Sequence, residues 1–267
     1  MRSDNSPRVI VSLTSFPAAI SYAVGAIRSI LEGSALPDRI ILYLTYSQFP
    51  GGEVPAIIRE LEKREPLFEV RNYDEEIRSY RKLIPALQDF PEDVIVTVDD
   101  DIRYGKNMLK LLLRYHKKYP KAVIGHRVRH IEKDEQGNIK PYSGWKVFRR
   151  FRYIARNTTP AFRNMSTGAG GVLYPPHALK ADMLSSRLFM EMAPTTDDIW
   201  FWAAAVANGT RIAPVPFGYW DPVELDKPLE ISLKQTNIHS GEDMNRKTLE
   251  GILNAYPTIK QRIEDEA

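Results

Sequence analysis

The sequence predicts an α/β fold: one mixed, mainly parallel sheet flanked by helices, in a single domain. Three observations carry that expectation. Short apolar runs of strand length alternate with stretches of helical spacing through the first half of the chain. One of those runs, Asp93–Val98, is apolar and β-branched, of the kind buried in a parallel sheet. No internal repeat and no low-complexity linker divides the 267 residues, a length that one elaborated domain accommodates.

The elements follow in order. Arg8–Thr14 is the first β-rich run. Ala19–Leu31 places Ile20, Ala23, Val24, Ile27, Ile30 and Leu31 on one helical face, and Gly33 stops it. Arg39–Thr45 is a second strand, Val54–Arg64 a helix, Leu67–Tyr73 a third strand and Arg81–Asp89 a short helix. Asp93–Val98 is β-branched and apolar, as in a buried parallel strand. Asn107–Tyr119 is a strongly periodic helix closed by Pro120, and Ala122–Arg127 is another strand. The second half is less regular. Gln136-Gly137-Asn138 marks a turn within Glu132–Lys140, and Tyr142–Arg163 is an aromatic, basic excursion. Thr167–Gly171 is glycine-rich and precedes Val172–Pro176. Asp197–Asn208 reads as a helix that begins in acids and stops at Gly209. Arg211–Val215 is a short strand, and Leu249–Glu264 a terminal helical segment interrupted at Pro257. Repeated β-α-β order implies right-handed crossovers, and ligands bind such sheets beyond the carboxyl ends of the strands. Chemistry is therefore expected just after Thr14, Thr45, Tyr73 and Val98.

Charge is nearly balanced overall, at a formal net of +3, which excludes a global polycation. It is uneven locally. Between Lys121 and Arg163 eleven Lys and Arg face only Glu132, Asp134 and Glu135, a local +8 that suits phosphates, an anionic acceptor or an anionic membrane face. The chain has no Cys, so disulfides and thiolate sites are excluded, and a cytoplasmic address fits. The N-terminal MRSDNSPRV lacks the apolar stretch of a signal peptide, and no run of about 18 apolar residues predicts a membrane span.

The strongest chemical signal is Asp99-Asp100-Asp101, directly after the fourth strand. Three adjacent carboxylates repel one another at a sheet end that offers little water, and a divalent cation resolves that conflict. Continued strand geometry would point Asp99 and Asp101 the same way. Carboxylates suit Mg²⁺ or Mn²⁺, which take remaining ligands from water and phosphate. A nucleotide-hydrolysing P-loop is excluded, because no Gly-x-x-x-x-Gly-Lys-Ser/Thr is present. An aspartate-nucleophile phosphatase fits poorly, since three strands precede the triplet and Arg103 stands where Thr or Val is usual. The second acidic signal is Asp197-Asp198, opening a helix after Thr196. One helix cap does not need two acids. A carboxylate there suits proton removal from an attacking hydroxyl, while a cation stabilises a leaving diphosphate.

Together these segments resemble the GT-A glycosyltransferases. The resemblance rests on Val9–Pro17, Tyr80–Leu87, Asp99-Asp100-Asp101, Thr167–Pro176 and Thr196–Trp200, and covers most of the chain. Within that fold the sequence is most similar to bacterial polysaccharide enzymes that include β-1,3-galactofuranosyltransferases, which invert the anomeric carbon while building O-antigen or capsule-like glycans. The resemblance implies that residues 1–127 form a nucleotide-sugar-binding half and residues 128–267 an acceptor-binding half with a C-terminal helical segment. It implies a UDP-sugar donor contacted by Leu13, Thr14, Ser15, Lys82, Asp99, Asp100, Gly170 and Gly171. It implies Mn²⁺ or Mg²⁺ on Asp101 and His239, and Asp198 as the base, with Asp197 the alternative. The acceptor expected is a lipid-linked glycan at the inner face of the cell membrane, with peripheral membrane contact and no nucleic acid. Ala19 departs from the pattern, because related sequences carry Arg there, which removes one phosphate or base contact. Trp145 and Trp220 are candidates for stacking on a sugar, whereas Trp200 and Trp202 on a helix read as core or pocket wall. Two rivals remain, a phosphohydrolase and a single-strand nucleic-acid module built on Lys140–Arg163.

Overall fold

The computed structural model describes residues 6–147, 159–216, 223–225 and 243–266. Its first half holds β1 (Val9–Thr14), α1 (Ile20–Leu31), β2 (Arg39–Leu44), α2 (Ala56–Arg64), β3 (Phe68–Asn72), α3 (Ile84–Asp89) and β4 (Val94–Thr97). Next come β5 (Ile102–Arg103), α4 (Met108–Lys118), β6 (Val123–Gly125), β7 (Val128–His130), β8 (Lys146–Val147), β9 (Asn164–Ser166) and β10 (Val172–Tyr174). The chain then forms α5 (Ser186–Met192), α6 (Asp197–Ala207), β11 (Ile212–Pro214), β12 (Val223–Glu224), α7 (Met244–Ala255) and α8 (Pro257–Glu264).

The main sheet has seven strands in the order β11-β6-β10-β4-β1-β2-β3. Pairing is parallel from β3 through β2 and β1 to β4, and again between β6 and β11. Only β10 runs antiparallel, between β4 and β6. The expected mixed, mainly parallel sheet is therefore what forms. From β1 the chain extends the sheet to one side through β2 and β3, then returns to place β4 on the other. That reversal falls at the carboxyl ends of β1 and β4, the place where open α/β sheets bind ligands.

Side-chain alternation divides the core into two layers. Val9, Val11 and Leu13 of β1 pack with Val94 and Val96 of β4 against α1, α2 and α4. Ile10 and Ile95 point the other way, against α3, α5, α6, α7 and α8. Burial on both faces explains why the strands read as continuous apolar runs. Helix α6 lies deepest, with nine of its eleven residues buried. Trp200 donates from Nε1 to the Met183 carbonyl, and Trp202 to the Phe162 carbonyl, so both indoles are core. Gly209, at φ 82°, ends this helix in the left-handed region, as expected of a stop glycine.

Two expectations need correction. Arg81–Asp89 is not one helix but a 3₁₀ turn, Arg78–Lys82, followed by α3. Pro85 has no N–H to give the Arg81 carbonyl, so a continuous helix would lose that bond. Trp145 is no sugar platform. It is 2% exposed, donates to the Lys140 carbonyl, and packs at 5.0 Å from the Tyr142 ring. Trp220 lies outside the described residues.

Candidate active site

Strand β4 ends at Thr97, two residues before the acids. The alternation of a strand therefore does not operate at the triplet, and each acid is placed by its own partner. Asp99 donates its backbone N–H to the Tyr104 hydroxyl at 2.8 Å. Tyr104 is itself held by a backbone bond to Ser29 Oγ of α1. Asp100 turns inward and accepts from the Ser15 hydroxyl at 2.5 Å, which ties the end of β1 to the end of β4. The Asp101 carbonyl accepts from Leu225 N, next to the pairing of β5 with β12.

Lys82 closes the 3₁₀ turn and is 6% exposed. Its ammonium lies 2.9 Å from Asp99 Oδ1 and 3.0 Å from Asp197 Oδ2. Burial alone would lower its pKa, but Asp197, Asp99 and Asp198 together hold it well above the ordinary lysine value. Asp197 and Asp198 open α6, where the helix dipole favours negative charge. Thr196 precedes them without a side-chain cap and bonds the Thr248 hydroxyl of α7 instead. Asp198 accepts from the Gly168 amide at 3.1 Å. Loss of water raises its carboxyl to about 7. Lys82 and the Gly168 bond oppose that rise, and the charges of Asp197 and Asp99 reinforce it. Tyr80 and Tyr174 lie close enough for the Asp198 charge to raise their phenols too, after the larger effect of burial.

The glycine segment approaches this group at Gly168. A Cβ there would stand 2.7 Å from both Asp99 Oδ1 and Lys82 Nζ, so any larger residue would have to displace that ion pair. Gly170 and Gly171 serve other neighbours. A Cβ on Gly170 would stand 2.6 Å from Arg127 N, and Gly171 (φ 84°) turns toward Met108 of α4.

The structure thus brings together Ser15, Lys82, Asp99, Asp100, Gly168, Asp197 and Asp198 at the reversal of strand order. Leu13 is fully buried in the core, which leaves only its backbone for a ligand. Thr14 bonds the Tyr43 carbonyl through its hydroxyl. His239 lies outside the described residues, as do Arg149, Arg150, Arg152 and Arg156 of the basic stretch. Within that stretch, Arg129 stacks over Tyr142 at 4.2 Å and Arg163 donates to the Ile131 carbonyl. Tyr104 has no signal in the sequence, because an aromatic after a strand reads as core. Gly168 stood in a recognisable glycine run, but which glycine meets the acids depends on the turn.

No protein-family model matches the sequence, and no curated protein does. The structure is similar to GalNAc-T7 solved with UDP, GalNAc and Mn²⁺, with a TM-score of 0.59 at 11% identity. The match covers 96% of this chain and 50% of that one. The fold is GT-A. The chain spans half the length of the protein it matches.

A resident cation is tested by the donor set. The side chains at the carboxyl edge are oxygen donors, and Mg²⁺ or Mn²⁺ needs only one or two carboxylates when phosphates and water complete its shell. Among the described residues no three His, Asp or Glu converge on a point that could hold a metal. The oxygen donors of the triplet fit Mg²⁺ or Mn²⁺ in kind.

Proposed function

We propose that this chain is an inverting, metal-dependent glycosyltransferase that moves a sugar from a UDP-sugar to a glycan. The observation that carries the reading is Asp198. Its carboxyl, at about 7 and fixed by the Gly168 amide, sits beside the Lys82–Asp99 pair at the ligand-binding edge of a GT-A sheet. A base near neutrality is what removal of a sugar hydroxyl proton asks for.

In this reading Asp198 accepts the hydroxyl proton as the acceptor oxygen bonds to C1. The bond from C1 to the diphosphate breaks, and UDP leaves with that electron pair. Thr14 and Ser15 line the nucleotide side, and Lys82 holds Asp99 and Asp197 in place. Asp101, with His239, would hold Mn²⁺ or Mg²⁺. When bound, the cation would stabilise the negative charge that grows on the diphosphate. The donor we propose is UDP-galactofuranose, in a β-1,3 transfer during O-antigen or capsule-type synthesis. The acceptor we propose is lipid-linked, at the cytoplasmic membrane face. UDP-galactopyranose is the alternative donor. These finer assignments rest on the sequence resemblance.

A thermal-shift screen of nucleotide sugars, with Mn²⁺ and with chelator, tests the reading. A ligand that binds only the native state raises the melting temperature by mass action. A Mn²⁺-dependent rise with UDP and one UDP-sugar is expected, and it names the donor. No rise with any nucleotide, together with phosphate release from an aryl phosphate, would leave the phosphohydrolase as the better reading.

A further inference from the structure

Residues 102–131 hold nine Lys and Arg and no Asp or Glu. The whole chain is +3, so the remaining residues carry a net −6. This concentration is centred on α4 and shares only Lys121, Arg127 and Arg129 with the basic stretch Lys121–Arg163. Met108, Leu109 and Leu112 bury the inner face of α4 against the sheet. The outer face is left to Lys110, Arg114, Lys117 and Lys118, all exposed, and exposed Lys106 and Lys121 flank the two ends of the helix. Spacing of three and four residues sets Lys110, Arg114, Lys117 and Lys118 in one stripe along the helix.

Helix surfaces normally temper such a stripe with acids at i+3 or i+4. Here none is available, because the nearest acids in sequence are Asp101 and Glu132. Elsewhere the fold pairs its cations readily, as in Arg8 with Asp93 and Arg246 with Glu250. Lys110, Arg114, Lys117, Lys118 and Lys121 form no ion pair with an acid among the described residues. Their mutual repulsion stands uncompensated, and a partner rich in negative charge relieves it.

We propose that the outer face of α4 is a docking surface for an anionic lipid bilayer. Charge complementarity selects the occupant. A bilayer presents a broad negative plane that engages the four cations of the stripe at once, and each adds to the attraction within a Debye length. A single-stranded nucleic acid would need aromatic faces on which bases stack. On this helix Tyr115 and Tyr119 are half-buried, and Lys118 covers the Tyr119 ring at 4.9 Å. The apolar side of α4 is committed to the core, so docking is electrostatic and the helix does not insert.

The experiment is co-sedimentation of the full chain, without nucleotide or cation, with phosphatidylcholine vesicles that contain or lack phosphatidylglycerol. Binding is expected to anionic vesicles alone and to fall steeply as salt rises. The variant Lys110→Glu/Arg114→Glu/Lys117→Glu/Lys118→Glu should bind at least about tenfold more weakly, with circular dichroism unchanged. Should charge reversal disturb folding, the same four positions changed to Gln give the same direction with a smaller loss. Failure of the wild-type chain to bind anionic vesicles at low salt overturns the proposal. So does full binding by a folded α4 variant, or a preference for a single-stranded oligonucleotide over vesicles. None of these readouts uses a sugar donor, so the outcome is independent of the transferase reading.

Discussion

Lys82 Nζ lies 3.0 Å from Asp197 Oδ2, and this pair joins two acidic clusters that stand about a hundred residues apart in the chain. Both side chains are under a tenth exposed. Through its second contact, to Asp99, the same ammonium spans from the end of β4 to the start of α6. Three carboxylates, those of Asp99, Asp197 and Asp198, depend on it for compensation.

Removing that ammonium is therefore costly. Lys82→Met should lower stability by about 3 kcal/mol, as when one partner of a buried pair is deleted. Urea unfolding followed by circular dichroism reads the loss as a lower midpoint with an unchanged slope. A change under about 0.5 kcal/mol would show that water already compensates the acids.

Asp198 gives a prediction in pH. As a base it works only when ionised, so kcat/KM should fall on the acid side with a midpoint at about 7. Asp198→Asn should lower kcat on the order of 10²-fold or more while the donor still binds. Stability moves the other way. The folded carboxyl titrates near 7, above the unfolded value of about 4. Between those values the unfolded chain holds fewer protons, so this group's contribution falls as pH rises from about 4 to about 7. Asp198→Asn removes that penalty, and the variant should melt higher than wild type above pH 7, with the gap closing near pH 4. Equal melting temperatures across that range would mean an ordinary carboxylate at this position.

The parallel half of this fold was legible because β1, β2 and β4 are buried on both faces and leave unbroken apolar runs. Of the short strands, β6 and β11 were legible, within Ala122–Arg127 and Arg211–Val215, but β10 was not. β10 has three residues, too few for a period, and its antiparallel entry between β4 and β6 is set by tertiary pairing. The acids were legible as clusters, since a buried strand running into three carboxylates needs an explanation. Their partners were not. A buried lysine and a surface lysine look alike in sequence, and Lys82 is buried only because two distant acids meet it. Ser15 was placed beside the site from its position after β1, while its bond to Asp100 depends on the parallel register of β1 with β4.

Two glycines make opposite predictions. Gly168→Ala puts a methyl group 2.7 Å from Asp99 Oδ1 and Lys82 Nζ, and should cost about 1–3 kcal/mol with loss of turnover. Gly251 is in α7, exposed, with nothing within 4 Å of a Cβ. Gly251→Ala should stabilise the chain by about 0.5–1 kcal/mol and leave turnover unchanged. Thermal melts of the two variants, run beside activity assays, separate crowding at the site from helix propensity.

Asp101 tests the cation directly. Asp101 is the acid of the triplet to which the proposed function, following the sequence resemblance, gives the shared metal. A cation that draws most of its ligands from diphosphate and water binds weakly without the nucleotide and tightly with it. Titration calorimetry of UDP should therefore show affinity that drops when Mn²⁺ is chelated. Asp101→Ala should bind UDP equally weakly with and without Mn²⁺. Asp101→Asn keeps the oxygen but loses the charge, and should fall between the two. Full Mn²⁺-dependent affinity in Asp101→Ala would move the metal to other residues while leaving Asp198 as the base.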